Sequence, residues 1–208
     1  HVAVIDDTVM TGNSLRAIDA LAKREFGKCT FASVYVNPAA SKKPDVWAQD
    51  LPWPHILEWN VFNSVLSPNM ALDFDGILCR DCQPGQDDDG PRYLDFIRDA
   101  KPLYVPRKVR VPLIVTARIE RYRADTEAWL ARHRINVGRL VMHPATTLHE
   151  RNKDDIAAYK ARHYSHWASR HRAKPPPIMF VESDDRQARR IARLSGRMVV
   201  CPATAGVY

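Results

Sequence analysis

The sequence predicts an α/β fold built around a mainly parallel sheet. Three short apolar runs have the length of buried strands, and each one ends in polar side chains: 70–72, 111–115 and 178–181. Segments with helical patterns lie between them, and such alternation of strands and helices is typical of parallel sheets. Ligands of open α/β sheets bind at the carboxyl ends of the strands, so the polar residues there are the first functional candidates.

The first run continues as Asp73-Phe74-Asp75-Gly76 and presents two carboxylates at the end of a strand. On its own this motif is weak, because Asp and Gly are common in the turn after any strand. A calcium-binding loop also begins in this way, but no alternating oxygen ligands and closing Glu follow Gly76. Two acids at this position are typical of phosphate and Mg²⁺ chemistry.

Three further signals follow in a specific order. The second run ends at Thr116, a hydroxyl donor, with Arg118 two residues later. Lys160 lies in the helical stretch 154–162, with Lys153 as its rival for the same role. The third run leads into an acidic group, of which the last two members could instead cap a helix. These acids are Glu182, Asp184 and Asp185.

This order of motifs resembles the haloacid-dehalogenase-like (HAD) phosphohydrolase superfamily over residues 67–208. The resemblance implies that Asp73 is the nucleophile, which forms an aspartyl-phosphate, and that Asp75 is the general acid/base. Thr116 and Lys160 would bind the transferring phosphoryl group, and Arg118 is a candidate to contact the substrate. The implied cofactor is Mg²⁺. Its implied ligands are Asp73, Asp75, Glu182 and either Asp184 or Asp185.

The resemblance also implies a Rossmann-like three-layer core. Only about forty residues separate Asp75 from Thr116, which is room for one helix near 93–100 and a turn. Between Thr116 and Lys160 there is room for a helix over 120–134 and a strand over 139–142. We therefore expect a nearly capless phosphatase.

A second signature begins the chain, where an apolar strand leads into Asp6 and Asp7 and then into Thr11-Gly12-Asn13-Ser14. The pattern resembles the phosphoribosyl-pyrophosphate (PRPP) loop of type I phosphoribosyltransferases. The resemblance implies that Asp6 and Asp7 bind the ribose and that Thr8 to Ser14 bind the 5-phosphate at a helix N-terminus. The alternative is an ordinary strand-to-helix turn capped by Asn13 or Ser14.

In that family the PRPP loop follows most of the fold, whereas here only His1 precedes the strand. We therefore expect a longer native chain. Residues 1–65 would form the C-terminal part of a transferase-like domain, with a helix over 14–26 and a strand over 30–37. Residues 66–208 would form the HAD-like domain, and the proline-rich joint at 52–54 would mark the division.

Composition limits the partners of the protein. No apolar run approaches the roughly 20 residues of a membrane span, and four cysteines without a disulfide-like spacing favour the cytoplasm. The net charge of +7 raises the question of nucleic acid. Aromatic residues are not interleaved with the arginines as a stacking surface requires, which argues against it.

The sequence thus predicts a Mg²⁺-dependent phosphomonoester hydrolase acting on a small phosphorylated metabolite, either a nucleotide or a sugar phosphate. Three alternatives stay open. PRPP-dependent transfer could be the main activity of a longer chain, the HAD-like part could be a phosphotransferase or mutase, or it could be a non-catalytic phospholigand-binding module. A homo-oligomer and a preceding transferase half are both compatible with the sequence.

Overall fold

The computed structural model describes residues 1–171 and 178–208. The chain forms two compact units, His1–His55 and Ile56–Tyr208. The division follows the proline-rich joint directly, instead of falling at residue 65, because Val61 and Phe62 are buried in the core of the second unit. No helix in the described ranges is long and apolar enough to cross a membrane.

The first unit is a three-stranded parallel sheet with one helix. It consists of β1 (Val2–Val9), α1 (Asn13–Phe26), β2 (Cys29–Val36) and β3 (Val46–Asp50), with the strands in the order β1-β2-β3. Leu15 of α1 packs with Val9, Phe31 and Val36 in a small core. The sequence did not predict β3, because all five of its residues are exposed and show no apolar alternation.

The second unit contains a six-stranded sheet in the order β6-β5-β4-β7-β8-β9, in which only the β8–β9 pair is antiparallel. Its strands are β4 (Met70–Leu72), β5 (Leu113–Ile119), β6 (Leu140–His143), β7 (Met179–Val181), β8 (Val199–Cys201) and β9 (Gly206–Val207). Its helices are α2 (Pro91–Asp99), α3 (Arg123–Arg132), α4 (Leu148–Arg151), α5 (Ile156–Arg170) and α6 (Asp185–Ser195).

Helices cover both faces of this sheet. On one face Leu72 and Ile114 pack with Phe96 of α2 and Trp129 of α3. On the other face β5 and β7 pack with α5 and α6. The alternation of side chains along each strand produces these two cores, since successive residues point to opposite faces. The chain is therefore an α/β protein with mainly parallel sheets, as predicted, and the second unit has the three layers of a Rossmann-like fold.

The strand order places the predicted motifs beside one another. β4 lies between β5 and β7, so that Asp73, Thr116 and Glu182 belong to adjacent strands or directly follow them. β5 is longer than predicted and continues past Thr116 to Ile119, with a register shift against β6 after Val115. Between β4 and β5, α2 is the single helix.

Candidate active site

A cavity of about 410 Å³ opens at the carboxyl ends of β4, β5 and β7. Six predicted site residues line it: Asp73, Asp75, Thr116, Lys160, Glu182 and Asp184. They come from four separate parts of the chain and meet because parallel strands present their carboxyl ends at the same edge. Six carboxyl groups but only two basic side chains line the cavity in all, so negative charge is in excess.

Lys160 is the centre of the buried part of the site. Its Nζ lies 2.8 Å from Asp73 Oδ2 and 2.7 Å from Glu182 Oε2. Backbone N–H groups fix both acids, since Asp73 donates to the carbonyl of Val181 and Glu182 donates to that of Val200. The ammonium group thus bridges the residues that follow β4 and β7.

The charges of this cluster are strongly coupled. Burial and the neighbouring Glu182 raise the pKa of Asp73 well above its usual value. The two carboxylates outweigh the effect of burial on Lys160 and raise its pKa, so Lys160 stays protonated. One ammonium cannot neutralise two carboxylates, and the site therefore favours a further cation. The rival Lys153 is exposed and does not line the cavity.

The buried side chain of Arg118 forms an ion pair with Asp75 on the core side of the cavity. Arg118 Nη2 donates to Asp75 Oδ1 at 2.7 Å and Nε donates to Oδ2 at 3.0 Å, which is a bidentate ion pair. The Asp75 side chain is 24% exposed and reaches the cavity, whereas that of Arg118 is fully buried. The guanidinium lies 4.0 Å from the centre of the Phe74 ring.

The predicted contact of Arg118 with the substrate therefore needs correction. Arg118 does not line the cavity, because β5 continues through it to Ile119 and keeps its side chain in the core next to Phe74 and Phe96. Its position makes it an orienting residue for Asp75 instead.

Thr116 provides a buried hydroxyl on the cavity wall. Its Oγ1 accepts a hydrogen bond from the backbone N–H of Arg118 at 3.1 Å. A hydroxyl that accepts one hydrogen bond still has its own hydrogen to donate. Thr116 can therefore donate to an anionic oxygen in the cavity.

The acids after β7 differ in their placement. Glu182 is fully buried, and Asp184 lines the cavity while its Oδ1 caps α6 by accepting from Gln187 N–H at 2.8 Å. Asp185 does not line the cavity; its carboxylate binds Tyr208, Thr204 and Arg189. These hydrogen bonds lower the pKa of Asp185 to about 2. Its position does not support the predicted role as a metal ligand.

The cavity suits a metal ion by the type and charge of its side chains, but not by the grouping of its possible ligands. Within residues 1–171 and 178–208, no three His, Cys, Asp or Glu side chains are grouped so that they could hold a metal ion. The donor set is nevertheless made of carboxylate oxygens with an excess of negative charge, which is what a hard cation such as Mg²⁺ prefers.

The predicted PRPP loop is shorter than the sequence suggested. Asp6, Asp7 and Thr8 lie within β1, which ends at Val9. Asp6 is half-buried and pairs in register with Ser33, while Asp7 is exposed. Thr8 is therefore part of the strand and not of the loop.

The loop that remains spans 10–12 and packs against the chain at 41–42. Gly12 has φ +84°, and a Cβ added to it would lie 2.3 Å from the carbonyl oxygen of Lys42. Gly12 is also the N-cap residue of α1, so the expected caps Asn13 and Ser14 lie inside the helix instead. Thr11 Oγ1 accepts from the backbone N–H of Asn13 at 3.3 Å. Binding of PRPP by these residues stays a prediction.

Several cavity residues were missed by the sequence reasoning. They are Asp81, Cys82, Asp87, Tyr93, Ala117, Arg151, Ser183 and Gln187. The acidic run 87–89 was a weak signal for Asp87, but nothing in the local sequence pointed to Arg151, which is brought to the cavity by the segment between β6 and α5.

At position 76 only a glycine fits, because the loop after β4 contacts the loop after β7 there. Its φ is +74°, and an added Cβ would lie 2.4 Å from the Cβ of Ser183. The Ser183 hydroxyl donates to the Asp75 carbonyl at 3.1 Å. The glycine of the acidic motif thus serves the close packing of two loops around the cavity.

Comparison with protein-family models, with curated proteins and with solved structures found no match. The functional interpretation of the cavity therefore depends on its own geometry and chemistry.

Proposed function

We propose that the second unit is a Mg²⁺-dependent phosphomonoester hydrolase of HAD-like type, which acts through an aspartyl-phosphate on Asp73. The observation that carries this proposal is the buried Lys160, which contacts both Asp73 and Glu182 on a cavity that Asp75 and Thr116 also line. A binding module has no need for a second carboxylate two residues after the first and held by a bidentate arginine.

In the first step, a carboxylate oxygen of Asp73 attacks phosphorus, and the bond from phosphorus to the ester oxygen breaks. For this step Asp75 must carry a proton, which it gives to the leaving oxygen and regains from water in the second step. In the second step, Asp75 takes a proton from water, the water oxygen attacks phosphorus, and the bond to Asp73 breaks. A positioned acid/base of this kind gives about 10²–10⁴-fold acceleration.

The remaining side chains stabilise the charge on the phosphoryl group and orient the reacting carboxylates. Thr116 would donate to an equatorial oxygen of the phosphoryl group, where charge develops. Lys160 would do the same in place of its present hydrogen bond to Gln187. Arg118 fixes the orientation of the Asp75 carboxylate through two hydrogen bonds. Burial and Glu182 raise the pKa of Asp73, and added positive charge in the cavity would favour its ionised, nucleophilic form.

Mg²⁺ would supply that charge. To hold it, the cavity acids Asp73, Glu182 and Asp184 would have to move closer together, because no three acids of the described residues are grouped for metal binding in this structure. The bidentate pair with Arg118 makes Asp75 a poorer ligand. The ion neutralises negative charge on the acids and on the phosphoryl group when bound.

The test is phosphate release from p-nitrophenyl phosphate by the purified chain, with Mg²⁺ and with EDTA. We expect Mg²⁺-dependent release by the wild type and none by Asp73→Asn. Asp99→Asn is the control, since the Asp99 side chain is 82% exposed at the end of α2. Undiminished release by Asp73→Asn, with circular dichroism like that of the wild type, would exclude Asp73 as the nucleophile.

A further inference from the structure

Residues of the cavity wall that take no part in the proposed reaction can contact the leaving group of the substrate. Asp87 and Arg151 lie on this wall as an ion pair, with Arg151 Nη2 3.4 Å from Asp87 Oδ2. We propose that this pair binds a neutral, hydroxyl-rich leaving group, so that the substrates are sugar or polyol monophosphates. This inference rests on the proposed phosphatase function.

Arg151 has hydrogen-bonding capacity in reserve. Its side chain is only 15% exposed, and its Nε is buried without a hydrogen-bond partner among the described residues. The buried Nε is not open to a ligand, but a guanidinium carries five N–H donors. Those on the cavity side remain available to a ligand oxygen. Of the two basic side chains of the cavity, Lys160 is already bound to two acids, so Arg151 is the one available to a leaving group.

The pair offers a donor and an acceptor side by side. A hydroxyl group can donate to the carboxylate of Asp87 and accept from the guanidinium of Arg151, because it has both functions. Two neighbouring hydroxyls can engage both partners together. The Asp87 side chain is 43% exposed and thus accessible to a ligand that enters from the mouth of the cavity.

A second anionic group on the substrate fits this wall poorly. Asp81 and Asp87 both line it, and Arg151 is the only basic side chain of the lining besides Lys160 within the described ranges. A carboxylate or second phosphate near Arg151 would also lie near these acids, and like charges at such distances repel.

A nucleobase also fits poorly. Among the lining residues that the structure describes, Tyr93 is the single aromatic one, and it is only 3% exposed. A base is usually held by stacking on an open aromatic face. The cavity of about 410 Å³ must hold the phosphoryl group as well, which places it toward the small end of ligand sites.

The experiment compares substrate classes and variants by kcat/KM. The sugar and polyol substrates are glucose 6-phosphate, ribose 5-phosphate and glycerol 3-phosphate. The competing classes are adenosine monophosphate and fructose 1,6-bisphosphate, and p-nitrophenyl phosphate serves as a substrate without hydroxyl groups. We expect the wild type to have its highest kcat/KM on a member of the first class.

The variant Arg151→Met should lower kcat/KM about tenfold or more on that best sugar or polyol phosphate, because hydrogen bonds to a charged group are lost. On p-nitrophenyl phosphate, which has no hydroxyl groups for the pair to bind, the loss in kcat/KM should be at least about fivefold smaller. Arg92→Met is the matched control, since Arg92 forms a similar ion pair with the neighbouring Asp88 but does not line the cavity. Asp87→Asn provides a second test from the other side of the pair and should show the same selective loss.

The outcomes separate the two proposals. If the wild type hydrolyses p-nitrophenyl phosphate but prefers the nucleotide or the bisphosphate, the inference is overturned and the phosphatase function stands. An equal loss on both substrates in Arg151→Met and Asp87→Asn would overturn it as well. If the wild type hydrolyses none of the phosphate esters, the phosphatase proposal itself fails.

Discussion

The buried ion pair of Arg118 and Asp75 should contribute strongly to the stability of the second unit. We consider the variant Arg118→Met, which removes the guanidinium but keeps an unbranched side chain of similar reach. The variant loses the bidentate hydrogen bonds to Asp75, at 2.7 and 3.0 Å, and the contact with the Phe74 ring. It leaves the Asp75 carboxylate without its main partner.

The magnitude follows from burial. Removing one partner of a buried ion pair costs about 3–5 kcal/mol, because the other charge is left uncompensated. Arg118 is fully buried, but Asp75 is 24% exposed and can be partly hydrated. We therefore expect a loss at the low end, about 3 kcal/mol. With a urea m-value of about 2 kcal/mol/M, the unfolding midpoint of this unit should fall by roughly 1.5 M.

The assay is urea unfolding followed by tryptophan fluorescence and circular dichroism. Trp129, buried against Phe74, reports on this core. Arg98→Met is the control, since Arg98 pairs with Asp125 on the surface and is 52% exposed. Exposed pairs contribute little, so its midpoint should stay close to that of the wild type.

A double-mutant cycle isolates the pair itself. Asp75→Asn should be much less destabilising in the Arg118→Met background than in the wild type. In that background the substitution removes a carboxylate that has already lost its partner, whereas in the wild type it leaves the Arg118 guanidinium unpaired. Equal midpoints for Arg118→Met and Arg98→Met, or strictly additive effects in the cycle, would refute this reasoning.

Two further predictions concern other parts of the chain. Asp155 pairs with Arg190 and caps α5, and these interactions lower its pKa to about 2. Because the pKa of Asp in an unfolded chain is about 3.9, this stabilisation should be complete above about pH 4 and be lost as the pH falls toward 2. Asp155→Asn should reduce the fall in melting temperature across that range, and an unchanged pH profile would contradict the pairing. Gly12→Ala should destabilise the first unit by more than about 1 kcal/mol, since its Cβ would lie 2.3 Å from the Lys42 carbonyl. Gly27→Ala, with a similar φ of +71° but no neighbour within 4 Å of the added Cβ, should lower the melting temperature less. An equal decrease for both variants would show that backbone strain at positive φ, and not the clash with Lys42, causes the destabilisation.

Local sequence patterns were enough to predict much of the fold. The apolar runs that became β1, β4, β5 and β7 are recognisable because buried strands need continuous apolar residues. The acidic and hydroxyl residues at their ends, with Lys160, then identified six of the fourteen residues that line the cavity. Asp73, Thr116 and Glu182 follow or end such runs, and their separation along the chain does not matter once the sheet is parallel.

The sequence alone therefore determined the α/β class, the approximate elements and the residues that supply the candidate chemistry. Only the tertiary structure decided that Lys160, 87 residues from Asp73, reaches the acids while Lys153 does not. It also placed Arg118 beneath Asp75, turned Asp185 toward Tyr208 and brought Arg151 to the cavity wall. The physical reason is that periodicity and turn chemistry act over a few residues, whereas the direction of a polar side chain depends on which distant strands and helices pack around it.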